Sequence, residues 1–505
     1  MKKLLKLISN KIFIIALAVI LEFSLLFVLW YKVTSKYALI HGILQVLSFL
    51  LLLHVIDRHD NPYYRFAWAI IILTIPPFGA ILYIMFGEKK VPKALRKTVG
   101  EAYPEIEYLQ SNDVLKKLPD RYKNWERLVD YIYGASHFPL YEHTYSEYLE
   151  SGEIKFSRLL EELEKAEKFI FFEYFIIKDG HMWQEIYKVL KRKAQAGIDV
   201  RVVFDDWGCA LFPQLKKQCE EAGMRVVVFN PLVPRLAIQM NNRDHRKIAV
   251  VDGRVGFVGG INIGDEYINL KSRFGHWKDT AVLIEGEAVF SLTLMFLQIF
   301  NYYDDNHDNP NDYKYEFKDM QDYTGYVLPF DDAPTDDYDV GADAHLTMIN
   351  NAKRYIYIQT PYLIVGHEMI KALQLAAESG VDVRIILPHI PDKKIVNMVT
   401  KSSYDELISS GVKIYEYKPG FVHSKTIVVD DEICLVGTTN MDFRSYYLHF
   451  ETGILFVGTP VVQSCYEDVM KTIDVSIEIT QEMARDISYP TRILRSFLKI
   501  FSGLM

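Results

Sequence analysis

Cysteine is scarce: the 505 residues hold four, Cys209, Cys219, Cys434 and Cys465, with no CxxC pair and no metal-ligand spacing. That excludes a disulfide-dense scaffold, argues against any disulfide, and suits a reducing compartment. Excess positive charge is also missing. With 57 Lys and Arg against 65 Asp and Glu, the net charge is -8. The chain lacks the overall basic field that sequence-independent nucleic-acid binding uses, and no nucleic-acid partner is expected. Apolar residues are plentiful at 50%, so a chain of this length can bury ample core and form more than one domain.

The apolar residues are unevenly placed. Ile12 to Tyr31, Tyr37 to Ile56 and Phe66 to Phe86 are three apolar runs of about the length that spans a bilayer. The first follows Lys2, Lys3 and Lys6, and ends in Leu29-Trp30-Tyr31 without a small-residue cleavage site, so it reads as a retained anchor. Pro76-Pro77 interrupts the third run and kinks it or makes it re-enter. Two or three transmembrane helices are therefore expected. Lysines before the first run and Lys89, Lys90, Lys93, Arg96 and Lys97 after the third fall on opposite sides of three crossings, so charge bias alone does not fix the topology.

The most informative feature is a repeat. HRKIAVVDGRVGFVGGIN, His245 to Asn262, returns as HSKTIVVDDEICLVGTTN, His423 to Asn440. His245/His423, Lys247/Lys425, Asp252/Asp430, Gly259/Gly437 and Asn262/Asn440 are all displaced by 178 residues. Five coincidences at one spacing remove the false-positive risk of a single short motif. On a strand, His and Lys two apart point to one face while the β-branched run packs inward. A turn at Asp252-Gly253 or Asp430-Asp431 leads to a second strand, whose small-residue end brings the asparagine beside the pair. Imidazole, ammonium and carboxamide suit a phosphate anion better than a metal. Two histidines are enough for a nucleophile and a general acid in metal-free phosphodiester chemistry. No cofactor is expected. Asp252 and Asp430 lie an odd number of residues from the pair, so the expectation is that they hold the loops. Trp277-Lys278-Asp279 and His449-Phe450-Glu451 follow the two motifs in similar settings. A carboxylate against an imidazole fixes its tautomer, which makes Asp279 and Glu451 candidates to orient the histidines.

The two copies resemble the HxKxxxxD motif, followed by G-G/S/T-x-N, of the phospholipase D superfamily. Asn61 to Gly87 is also similar to the N-terminal membrane region of bacterial cardiolipin synthases, as are the segments around Asp279 and Glu451, where Lys278 replaces the usual Arg. The resemblance implies a catalytic set of His245, Lys247, Asp252, His423, Lys425 and Asp430. It further implies transfer of a phosphatidyl group between phosphatidylglycerols through a phosphohistidine on His245, with His423 as acid and then base. Lys247, Lys425, Asn262 and Asn440 would bind the phosphate oxygens. Expected partners are phosphatidylglycerol and other anionic membrane phospholipids, in a multi-pass protein of the cell membrane with its catalytic lobes on the cytoplasmic face. Hydrolysis, or transfer to another alcohol, is the alternative for the same site, and an inactive membrane scaffold is a more distant one. The sequence is silent on oligomeric state.

Around the motifs, helical and strand patterns alternate twice. AKRYIYIQTPYL (Ala352 to Leu363) parallels AEKFIFFEYF (Ala166 to Phe175), and GVDVRIIL (Gly380 to Leu387) parallels GIDVRVVF (Gly197 to Phe204). The expected fold is α/β, with two similar lobes of mixed sheet flanked by helices behind the membrane helices. The divisions are 1–87 membrane region, 88–151 connector, 152–310 first lobe, 311–345 solvated acidic linker, 346–480 second lobe and 481–505 amphipathic segment. The alternative role for the linker is a lid. The last segment carries Ile493, Leu494, Phe497, Leu498, Ile500 and Phe501 beside Arg492, Arg495 and Lys499, and is expected either on an anionic membrane surface or packed on the body.

Overall fold

The computed structural model describes residues 38–87, 118–231, 241–304, 308–317 and 323–505, with a few positions between 21 and 32. The first apolar run therefore falls largely outside the described residues.

The first lobe is a seven-stranded sheet. In chain order its strands are β1 (Tyr145–Leu149), β2 (Phe169–Tyr174), β3 (Asp199–Asp205) and β4 (Arg225–Phe229), then, after a two-residue β5 (Arg243–Asp244), β6 (Lys247–Val251) and β7 (Val255–Gly259), and, after β8 (His276–Lys278), β9 (Ala281–Glu285). They lie in the order β1-β9-β7-β6-β2-β3-β4. The helix-connected strands β2, β3 and β4 run parallel, whereas β6 and β7 form a hairpin. The second lobe supplies β10 (Tyr326–Asp332), β11 (Tyr355–Gln359), β12 (Leu363–Ile364), β13 (Asp382–Pro388), β14 (Lys413–Tyr417), β15 (Gly420–Val422), β16 (Thr426–Val429), β17 (Ile433–Gly437), β18 (Met441–Asp442), β19 (His449–Val457) and β20 (Ser476–Glu478). Its main sheet has the order β10-β19-β17-β16-β11-β13-β14-β20. Apart from β20, the first order is repeated strand for strand.

The two-residue period assigns each strand's side chains to two cores. Ile170, Phe172 and Tyr174 of β2 face the first lobe's own helices, and Ile356 and Ile358 of β11 face those of the second. Phe169 and Phe171, with Tyr355 and Tyr357, face a shared core between the sheets. Helix Val289–Tyr303 fills that core together with Val461, Val462, Cys465 and Val469 of helix Pro460–Asp474. Val289–Tyr303 is buried over nearly its whole length, consistent with a sequence apolar all round.

Two stretches differ from their expected roles. The linker at 311–345 contains β10, a buried edge strand antiparallel to β19, and the start of helix Val340–Asn351. Its YVLPF run is flanked by acidic residues that obscure the apolar pattern. The connector at 88–151 contains helix Glu126–Ser136, whose Leu128, Val129 and Ile132, together with the preceding Trp125, belong to the second lobe's core, and β1, which pairs with β9 of the first.

Among the described residues, one helix is long and apolar enough to cross a membrane: Leu39–Asp57 of helix Ala38–Asp57. Leu39, Ile43, Val46, Leu47 and Phe49 are exposed on it. The third apolar run is two helices, Pro62–Thr74 and Phe78–Phe86, because the prolines remove backbone donors at their junction. Tyr63 packs against Phe443 of the second lobe with ring centroids 5.3 Å apart, and Leu504 packs on the cluster formed by these helices. The C-terminal segment forms helix Tyr489–Ile500, which leaves Ile493, Leu494 and Phe497 exposed beside them.

Candidate active site

The repeated motifs form matching hairpins. Asp252 and Gly253 have φ of 55° and 68°, and Asp430 and Asp431 of 56° and 60°. Positive φ at both central residues is the turn that matches strand twist. The Asp252 carboxylate accepts from the backbone N–H groups of Glu167, Lys168 and Phe169 at 2.8 Å. Asp430 does the same for Lys353, Arg354 and Tyr355 at 2.7–2.8 Å. Each aspartate thus ties the turn to the start of the neighbouring strand, at the end of the hairpin remote from the histidine.

At the other end, both histidines sit just before their strands, between β5 and β6 and between β15 and β16. Short parallel pairings hold them across the lobe boundary. β5 pairs with β19, and the His245 N–H donates to the Phe450 carbonyl at 2.9 Å. β15 pairs with β8, and the His423 N–H donates to the Lys278 carbonyl at 2.7 Å. The orienting carboxylates are consequently exchanged between lobes. His245 Nδ1 meets both Glu451 oxygens at 2.9 Å, and His423 Nδ1 meets Asp279 Oδ2 at 2.6 Å. Both carboxylates are fully buried. With Nδ1 engaged in this way, Nε2 of each ring is the nitrogen left for chemistry.

Small residues make room for these contacts. A side chain at Gly260 would lie 2.2 Å from Asp279 Oδ1. The second motif has Thr438 at that position, and its hydroxyl donates to Glu451 at 2.5 Å. Gly259 and Gly437 are pressed against Ala281 and Thr452, where a Cβ would meet backbone at 2.4 and 2.6 Å.

The Lys247 and Lys425 ammonium groups donate back to the carbonyls of His245 and His423. Burial lowers them to about 7 and about 8, although Glu451 and Asp279 pull the other way. Burial and then the lysines also push the imidazoles down, His423 to about 4 and His245 well below its ordinary value. His423, Lys425 and Lys393 all act electrostatically on His245, so both motifs converge on one centre. The Asn262 carbonyl accepts from Ile176 N–H at 3.0 Å and its amide donates to Tyr267 at 2.9 Å. Asn440 Oδ1 is buried without a hydrogen-bond partner among the described residues.

Several contributors carried no individual signal in the sequence. The Tyr267, Trp277 and Phe421 rings pack around His423, and Phe175 packs against His245. Lys393 donates to Tyr362 at 3.1 Å. His449 was visible only as a neighbour of Glu451, yet its ring centroid lies 5.3 Å from that of His245. With Glu451 the two imidazoles place three potential metal ligands together. Sequence spacing could not reveal this group, because its members are joined by the β5–β19 pairing.

Two lobes of one strand order, each contributing His and Lys to a shared centre, define a two-motif phospholipase D-like protein. The family model described as "Cardiolipin synthase, PLD-like domain" matches residues 159–291 and 346–472, and one described as "Phospholipase_D-nuclease N-terminal" matches 46–88. A cardiolipin synthase of Geobacillus kaustophilus is 34% identical over 89% of this chain and 90% of its own. An uncharacterized protein of Streptococcus mutans is 38% identical over 90% of this chain and 99% of its own. The crystal structure of phosphatidylserine synthase from Haemophilus influenzae shares the fold at a TM-score of 0.54 and 16% identity, covering 75% of this chain and 98% of that one. The chain belongs to the cardiolipin synthase family of phospholipase D-like proteins.

Proposed function

We propose that the chain is a phosphatidyltransferase that joins two phosphatidylglycerols into cardiolipin and releases glycerol. The crossed pairs His245–Glu451 and His423–Asp279, closed around two buried lysines, carry this reading. The names of the relatives indicate the product. His245 Nε2 attacks phosphorus, the bond to the departing glycerol oxygen breaks, and His423 supplies that oxygen's proton. The glycerol hydroxyl of the second phosphatidylglycerol then loses its proton to His423 and attacks the phosphohistidine, freeing His245. Asp279 and Glu451 stabilise the imidazolium forms, and the anionic diester raises the low proton affinity of His423. Lys247, Lys425, Asn262 and Asn440 hold the non-bridging oxygens as charge shifts onto them.

The apolar helix Leu39–Asp57 and the exposed side of Tyr489–Ile500 support a membrane location. In this reading the chain crosses the membrane more than once, with its lobes on the cytoplasmic face. The Tyr63–Phe443 contact brings the membrane-region helices close to the second motif's loop, three residues beyond Asn440. The test is cardiolipin formation by purified full-length protein given phosphatidylglycerol alone. His245→Ala and His423→Ala are each expected to abolish turnover in folded, membrane-inserted protein. Substantial transfer by either variant would rule out a shared two-histidine site.

A further inference from the structure

His449 has no part in the transfer steps, and its surroundings are unusual. Its side chain is only 11% exposed. Both ring nitrogens are shielded and lack a hydrogen-bond partner among the described residues. A buried imidazole left in this way forfeits hydration without replacement, so it calls for an explanation. Its Nδ1 lies 3.6 Å from Glu451 Oε1, too far for a good hydrogen bond. His245 Nδ1 lies 2.9 Å from the same carboxylate. One ligand atom from each of the three residues lies within 4.8 Å of the others.

We propose that His245, His449 and Glu451 form a site for a divalent transition-metal ion, zinc foremost, and that filling it withdraws His245 from catalysis. Two imidazoles and a carboxylate are a donor set that Zn²⁺ accepts, with the fourth position open to water or a phosphate oxygen. Ligands roughly 2.1 Å from a tetrahedral ion stand about 3.4 Å apart, a value between the two observed nitrogen–carboxylate distances. The two imidazole nitrogens lie within 4.8 Å of each other, so the rings must close together by up to about 1.4 Å to reach that spacing. Nitrogen donors favour zinc, cobalt, nickel and copper over magnesium or calcium. Lys247, Lys425, Lys393 and Arg444 oppose a cation here, while Glu451 and Asp442 favour it. An ion that takes the Nδ1 lone pair of His245 requires the ring proton, otherwise held on Nδ1 against Glu451, to move to Nε2; the nitrogen needed for attack then carries a proton and has no free lone pair.

Metal binding stands on the geometry alone, whereas the inhibitory effect rests on the phosphatidyl-transfer reading; two measurements separate them. Chelator-stripped full-length protein in detergent is titrated with Co²⁺, whose visible absorption is intense when the ion is four-coordinate, and Zn²⁺ is then added to displace it. One equivalent of intense bands, removed by Zn²⁺ and much weakened in His449→Asn, is expected. Cardiolipin formation is measured in parallel against Zn²⁺, each variant relative to its own metal-free rate. Wild type should be inhibited and restored by EDTA, and His449→Asn should need at least about tenfold more Zn²⁺. His449→Gln replaces the asparagine variant if that one does not fold. Absence of the cobalt bands in wild type, or bands undiminished in His449→Asn, overturns the site, and equal zinc sensitivity in the variant overturns its control of His245. Metal binding without inhibition overturns the control of His245. A protein that forms no cardiolipin at all fails the transfer reading, while the cobalt titration still decides the site.

Discussion

At the residue scale, burial moves the proton affinities of the histidines and lysines at the centre away from their values in water. Glu451→Gln keeps the size and an oxygen acceptor but removes the charge that stabilises the His245 imidazolium. A fall in kcat of about 10²–10⁴ is expected with little change in KM, because the lost interaction strengthens only as charge develops. Asp279→Asn should behave alike through His423, and steady-state kinetics on both variants checks this. The lysines set a pH limit. Lowered to about 7 and about 8, Lys247 and Lys425 lose their charge as pH rises through that window instead of near their ordinary value above 10. Capture of an anionic diester should weaken with it, so kcat/KM, which reports the free enzyme, should fall between pH 7 and 9. A flat profile over that range would show that the lysines stay charged.

At the element scale, the two motif hairpins are anchored by aspartates that lie away from the chemistry. Asp252→Ala strands three backbone N–H donors that now point at a carboxylate. Their partial burial suggests a loss of roughly 3 kcal/mol in stability, given about 1–3 kcal/mol for an unsatisfied buried donor and some recovery by water. Thermal unfolding should show Asp252→Ala and Asp430→Ala losing similar amounts, since each carboxylate accepts the same three backbone bonds. The folded fraction of each variant should keep measurable turnover. Complete inactivity in fully folded protein would place these aspartates in the reaction itself.

At the scale of the whole molecule, neither lobe is self-sufficient. Each histidine is oriented by the other lobe's carboxylate, and the sheets share one apolar core. Trp125 and helix Glu126–Ser136 precede the first lobe in sequence but pack in the second, where the Trp125 Nε1–H donates to Glu432 at 2.8 Å. A fragment of residues 323–505 should therefore be insoluble alone and be rescued by co-expression with residues 1–317, with cardiolipin formation returning only in the pair. Solubility and activity of the separate and joined fragments test this. An active single lobe would contradict the exchange of carboxylates.

The sequence by itself determined the duplication, the α/β class with its two mixed sheets, and the residue types at the centre. A fixed offset of 178 residues and alternating apolar strands are local patterns that need no three-dimensional information. It also singled out Asp279 and Glu451, because each follows its motif in the same setting. Which histidine each carboxylate serves was decided only by the tertiary structure: the β5–β19 and β8–β15 pairings join positions separated by 206 and 144 residues. The same holds for β10 inside the acidic stretch and for helix Glu126–Ser136, whose packing partners lie some two hundred residues away or more. His449 is the clearest case. Nothing along the chain sets it apart, and only the pairing of the two-residue β5 with the start of β19 in the other lobe places its ring beside His245.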